Sequence, residues 1–275
     1  MKIFLSFLFN LLIIKLSPNQ SCKLANFRQT IMNRETRFNY VKESKMFKAI
    51  ETKNAMYFYE KMRGINTYSH GIKERADSLA RLYKLNLVNF EKNDTVIDCG
   101  ANFGDIFNSL DKNLNINYIS FEPSPKEFDC IKLNCKRQTN NNLALHNKSG
   151  KYEFFLKSNF GDSSLIEPAE GYNEKISVNT ITLDDYVTKN NIEKIKLFKI
   201  EAEGSEPEVL EGAKNSLKKI KFITIDGGPE RGLKKETTIE FAINYLLKNN
   251  FKLVALGIEH TEGAEIKGLF ENTTI

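Results

Sequence analysis

The sequence lacks the residue groupings that many metal enzymes and nucleic-acid-binding proteins rely on. Its three histidines, His70, His146 and His260, are isolated, and its four cysteines, Cys22, Cys99, Cys130 and Cys135, form no C-x-x-C pair. Without ligand spacing of that kind no metal is expected, and the thiols are expected to be free. Cys99 lies in an apolar run and reads as a small core residue, while each histidine reads as a surface or packing residue. Long single-sign charge blocks are also missing. The 40 Lys and Arg residues are interspersed with 35 Asp and Glu residues, for a net charge of +5, so no nucleic-acid partner is expected. No G-x-G-x-x-G, N-P-P-Y-like or P-C motif is present, nor any internal repeat or low-complexity segment. No apolar run is long enough to cross a bilayer. The longest, residues 3–14, is broken by Ser6 and Asn10 and falls short of the ~20 residues that a spanning helix needs. A single Lys precedes it and no A-x-A cleavage site follows. A peripheral membrane anchor through residues 3–16, a weak signal segment and a packed helix all remain open readings. Nothing demands an oxidising compartment, so a cytoplasmic location is expected, with membrane association through that segment as an option.

What is present divides into three parts: a hydrophobic segment at 1–20, a basic and polar region at 21–93, and a domain at 94–275. In the middle part, residues 55–59 read as an aromatic core strand, 65–70 as a loop bracketed by Gly64 and Gly71, and 72–83 as an amphipathic helix. This part is expected to cap the domain that follows. From Asp94 onward, strands alternate with helices. Strands are expected at 95–99, 118–121, 197–201, 221–226 and 251–257, with a short apolar piece at 143–145. Helices are expected at 125–137, from Ser205 to about Leu217, and at 237–247. Ser205 and Glu208 have the spacing of a capping box. Residues 151–156 and 176–181 alternate like a hairpin or edge strands. The rhythm predicts an α/β fold: a doubly wound, mostly parallel sheet with helices on both faces.

Three motifs carry the chemistry. The first is Val96-Ile97-Asp98-Cys99-Gly100-Ala101-Asn102-Phe103-Gly104, an apolar strand that turns through two glycines into a helical segment. Small residues there let a ligand approach the backbone, at the strand ends where open α/β sheets bind ligands. The second is Phe121-Glu122-Pro123, whose acid closes the next strand and can accept from both ribose hydroxyls. The Gly turn lacks the third glycine of a dinucleotide site and carries an acid, which repels a diphosphate and attracts an ammonium group. The third is Leu197-Phe198-Lys199-Ile200-Glu201-Ala202-Glu203-Gly204. Acids at i and i+2 of an extended chain share one face, where mutual repulsion makes one hold its proton more tightly. A general base or a polar-substrate contact is expected there. Glu230 and Arg231, in the loop after residues 221–226, are further candidates for contacting an acceptor.

Taken with GDSSL at 161–165, ITLDDY at 181–186 and KIEAEGSEPEVLEGAKNSL at 199–217, these motifs in this order resemble the FkbM family of methyltransferases over residues 94–226. The resemblance implies a class I methyltransferase fold with a seven-stranded, Rossmann-like sheet and S-adenosylmethionine as donor. It also implies O-methylation of a saccharide or other small-molecule hydroxyl. By the same resemblance, Asp98, Gly100, Asn102 and Gly104 line the methionine end of the donor, Glu122 holds the ribose, and residues 142–144, Ala144 among them, border the adenine. Glu201 and Glu203 are then the candidate catalytic acids, with the choice between them open. Glu201 stands where the family commonly has Asp, and His146-Asn147-Lys148 departs from its usual turn. The first departure keeps an inactive cofactor-binding protein as the alternative reading.

Overall fold

The computed structural model describes the backbone of residues 2–157, 161–261 and 263–275, and the side chains of residues 9–157, 161–257 and 266–275. The chain begins with helices α1 (Lys2–Lys15) and α2 (Pro18–Ile31). An antiparallel three-stranded sheet follows, β1 (Arg37–Val41), β2 (Met46–Glu51) and β3 (Asn54–Phe58), and then helices α3 (Lys61–Thr67) and α4 (Ile72–Leu82). From Thr95 the elements are β4 (Thr95–Cys99), α5 (Asp105–Ser109), β5 (Asn117–Phe121), α6 (Pro125–Asn134), β6 (Thr139–Asn141), β7 (Ala144–Leu145), β8 (Gly150–Leu156) and β9 (Glu174–Ile181). The chain continues with α7 (Leu183–Lys189), β10 (Ile195–Ile200), α8 (Glu206–Glu211), β11 (Ile220–Asp226), α9 (Ile239–Lys248), β12 (Phe251–Thr261) and β13 (Gly263–Asn272).

Seven of these strands form one sheet in the order β12-β13-β11-β10-β4-β5-β6. The five from β11 to β6 run parallel, while β13 is antiparallel to both of its neighbours. This is the mainly parallel seven-stranded sheet expected from the sequence. Alternation along the strands serves its two faces. Ile97, Ile119, Phe198 and Ile223 pack with Leu183, Leu210 and Leu246 of α7, α8 and α9. Val96, Tyr118 and Leu197 face the other way, onto Leu79 of α4 and Tyr83, which follows it. Packing therefore crosses the boundary drawn at Asp94: α4 covers one face of the sheet, and Thr224 Oγ1 donates to the Tyr83 carbonyl at 2.9 Å. The rest of the N-terminal region has its own aromatic core, in which Phe47 stacks on Phe58 at 5.6 Å between centroids.

Several expectations need correction. Residues 65–67, expected in a loop, belong to helix α3, and Gly64 sits inside that helix because a Cβ there would meet the Phe58 ring at 1.9 Å. The third sheet strand is the polar Thr139–Asn141, whereas Ala144–Leu145 pairs with β9 in a separate sheet β7-β9-β8. The helix after Ser205 ends at Glu211, and the Gly212 that follows packs where a Cβ would lie 2.2 Å from the His146 carbonyl oxygen. The helix from Pro125 ends at Asn134, followed by Arg137 with φ +67°. The antiparallel β13 has no counterpart in the sequence reading.

Of the hydrophobic N-terminal run, residues 3–8 lie outside the described side chains. Beyond them, Ile13 is fully buried, and Phe9 lies under the Arg28 guanidinium at 3.8 Å. Lys61 Nζ donates to the carbonyls of Ile14 and Leu16. Leu11, Leu12 and Ile14 remain exposed. No helix among the described residues is long and apolar enough to cross a membrane. All four cysteines are free and buried, and no His/Cys/Asp/Glu group among the described residues can hold a metal ion.

Candidate functional site

A cavity of about 380 Å³ opens at the carboxyl ends of β4, β5, β10 and β11. Its floor is the turn after β4. Gly100 has φ +72°, and a Cβ there would lie 1.9 Å from the Glu201 carbonyl oxygen, so only glycine fits between the two strand ends. Gly100→Ala is expected to destabilise the fold by at least about 1–3 kcal/mol from backbone strain alone. Thermal unfolding against the wild type checks this.

Glu122 straps that turn in place. Its Oε2 accepts from the Asn102 backbone N–H and its Oε1 from the Ser124 N–H, each at 2.8 Å. Burial, with Glu127 alongside, pushes the Glu122 carboxyl up to about 7 despite those two donors. Both oxygens keep lone pairs for further donors. Asn102, with φ +50°, lines the cavity, and its Oδ1 is buried with no hydrogen-bond partner among the described residues. Ala144 and Leu145 add an apolar wall.

Two of the four residues expected to line the methionine end of the donor do not line the cavity. Gly104 faces helix α6 instead, where a Cβ would lie 2.4 Å from Cys135 Sγ. Asp98 is fully buried behind the turn, accepting from the Tyr118 hydroxyl at 2.5 Å and paired with Lys199 Nζ at 3.0 Å. Lys199 was not singled out in the sequence, yet it organises the site. Its Nζ also meets Glu201 Oε2 at 2.7 Å and donates to the carbonyls of Gly100 and Cys99 at 2.8 and 3.1 Å. Burial alone would depress the Lys199 pKa, but Asp98 and Glu201 hold it above the ordinary lysine range. The signal was a Lys inside the apolar strand Leu197-Phe198-Lys199-Ile200, since a buried lysine requires partners.

Glu201 and Glu203 both line the cavity, but not as alternate residues of one extended strand. Strand β10 ends at Ile200, and Glu203 turns with φ +49°. Their environments diverge. Burial would raise Glu201, but Lys199 overrides it and holds the carboxyl at about 2. Glu203 has no cation within ion-pair distance among the described residues. Burial first, then Glu230 and Glu201, push it well above the carboxylate range. Glu230 is itself pushed up to about 9 by burial and by Asp226.

The expected capping box is not formed. Ser205 makes no side-chain cap, and the turn is tied instead by Glu206, which accepts from the N–H groups of Ala202 and Gly204 and from Thr238 Oγ1. Glu208 pairs with Arg231 through two bonds of 2.8 and 2.9 Å, which places Arg231 beside the turn and leaves Glu230 on the cavity. His146 packs against Tyr152, and neither it nor His70 lines the cavity. The His260 side chain lies outside the described residues.

The chain is also similar to known proteins. A family profile described as "Methyltransferase FkbM domain" matches residues 98–253. A hexuronic acid methyltransferase, AglP, of Haloferax volcanii is 29% identical over 52% of this chain, and the match spans 59% of that relative, less than two thirds of its length. The 2-O-methyltransferase NoeI of Sinorhizobium fredii is 25% identical over 77% of this chain and 93% of its own. Among solved structures, M. capricolum TrmK in complex with S-adenosylhomocysteine superposes with a TM-score of 0.44 at 13% identity, covering 72% of this chain and 68% of that one. The precorrin-6y C5,15-methyltransferase of Geobacter metallireducens gives a TM-score of 0.43 at 11% identity, covering 71% and 88%.

Proposed function

We propose that this chain, which belongs to the FkbM methyltransferase family, transfers the methyl group of S-adenosylmethionine to a hydroxyl oxygen of a saccharide. The residues lining the cavity fit the donor. Glu122 offers free lone pairs to ribose hydroxyls, Ala144 and Leu145 offer an apolar wall to a base, and the orphaned Asn102 Oδ1 awaits a donor group. When bound, the donor supplies an electrophilic methyl on a sulfonium, so the protein must align the acceptor hydroxyl and take its proton. The names of the two relatives, a hexuronic acid methyltransferase and a 2-O-methyltransferase, support a sugar as acceptor. Leu11, Leu12 and Ile14, exposed on α1, support contact of this end with a membrane surface.

One observation carries the assignment of the base: Glu203 lines the cavity with no paired cation among the described residues, whereas Glu201 is neutralised by Lys199. Glu203 is therefore the proton acceptor, and Glu201 positions Lys199 beneath the Gly turn. A raised carboxyl is protonated at low pH and becomes a base only as pH rises. Turnover is expected to climb with pH along a limb that lies well above the ordinary carboxylate range, and Glu230→Gln should move that limb to lower pH by removing a like charge. The free protein should lose stability over the same rise, because these acids ionise more readily once unfolded. Transfer of labelled methyl from S-adenosylmethionine to mono- and oligosaccharides tests the reading. Labelling of saccharide hydroxyls supports it, and labelling of protein or RNA alone would refute it.

A further inference from the structure

Among the described residues, four cations line the cavity: Arg63, Arg75, Lys199 and Lys267. Three are held by acids. Lys199 pairs with Asp98 and Glu201, Lys267 meets Asp226 at 2.6 Å, and Arg75 Nε lies 3.6 Å from Asp105 Oδ2. Arg63, on α3, has no ion pair among the described residues, and its NH1 is buried without a hydrogen-bond partner. The Arg63 guanidinium lies over the Phe103 ring at 4.8 Å, just past the Gly turn. The segment carrying Gly161 crosses it so closely that a Cβ there would lie 2.0 Å from its NH2. Arg75 is set beside the same part of the cavity by Asp105, which also accepts from the Tyr68 hydroxyl at 2.8 Å. Its Nε is likewise buried and too far from Asp105 for a hydrogen bond.

A half-buried guanidinium held over an aromatic ring, with one buried nitrogen left without a partner, is arranged to receive a planar anion, most favourably a carboxylate in a two-pronged contact. Both arginines belong to helices ahead of residues 98–253, the span matched by the family profile. We infer that Arg63, supported by Arg75, is a carboxylate-binding subsite of the cavity. The inference rests on the donor and acceptor reading above, and two ligands offer that chemistry: the amino-acid end of the donor and the acid group of a uronate acceptor.

Calorimetry on the full chain separates the sources, using S-adenosylhomocysteine, 5′-methylthioadenosine (which lacks the amino-acid end), and, with S-adenosylhomocysteine present, glucuronate against glucose. For a donor carboxylate, Arg63→Gln should weaken S-adenosylhomocysteine by about tenfold or more and leave 5′-methylthioadenosine unchanged. For an acceptor carboxylate, S-adenosylhomocysteine is unaffected, and the wild-type preference for glucuronate over glucose is lost in the variant. Arg63→Lys keeps the charge without the fork and should recover only part of either loss. Wild-type melting behaviour in both variants guards against misfolding. Unchanged affinity for all four ligands in a folded Arg63→Gln, Arg75→Gln double variant would overturn the subsite. Failure of the wild type to bind S-adenosylhomocysteine would instead count against the donor reading.

Discussion

Lys199→Met is expected to destabilise the protein by about 3–5 kcal/mol, because it strands Asp98, which is fully buried, and Glu201, which is partly buried, without their shared cation. The same Nζ ties the carbonyls of Cys99 and Gly100 across the strand ends, so the Gly turn should loosen and donor affinity should fall with stability. Chemical denaturation checks the magnitude. A triple variant, Lys199→Met with Asp98→Asn and Glu201→Gln, removes the stranded charges and should regain part of the stability. If the single variant were as stable as the wild type, Lys199 would not organise the turn.

The second large effect concerns turnover. Glu203→Gln keeps the shape of the side chain and removes its basicity, and it should lower turnover by about 10²–10⁴-fold, the usual contribution of a general base. Donor affinity should stay unchanged, since Glu203 belongs to a turn held by Glu206 and Arg231 rather than to the Gly turn. Glu201→Gln should behave differently. It removes one of two acids on Lys199, so stability and donor binding should fall together with turnover. Single-turnover rates beside binding isotherms distinguish the two patterns. A Glu203→Gln variant with full turnover would pass the proton-accepting role to another group.

These contrasts also show what the sequence could disclose. The parallel strands were legible because β4, β5, β10 and β11 are short apolar runs ending in turns or acids, and Glu122 was legible as an acid closing a strand. The polar β6 and the antiparallel β13 were not, since their strand character comes from pairing with neighbours rather than from local pattern. At the site, the sequence placed Asp98, Gly104, Glu201 and Glu203 by motif position, but it could not separate residues that face the cavity from those behind it. Asp98 and Gly104 turn away because β4 is buried on both faces and Gly104 is wedged against α6. Glu201 and Glu203 differ because a left-handed turn and a lysine two residues upstream act on them unequally, which depends on tertiary placement. Arg63, on α3, and Tyr83, just after α4, reach the cavity from far upstream in sequence, and no local motif marks them.

The central claim is that the cavity at the strand ends holds S-adenosylmethionine with Glu122 on its ribose. Calorimetric titration of the full chain with S-adenosylmethionine and with NAD, beside a Glu122→Ala variant, tests it most directly. The account predicts saturable binding of S-adenosylmethionine but not NAD by the wild type, with binding lost in a variant that still melts cooperatively. Binding of NAD alone, or equal S-adenosylmethionine affinity in both proteins, would contradict it.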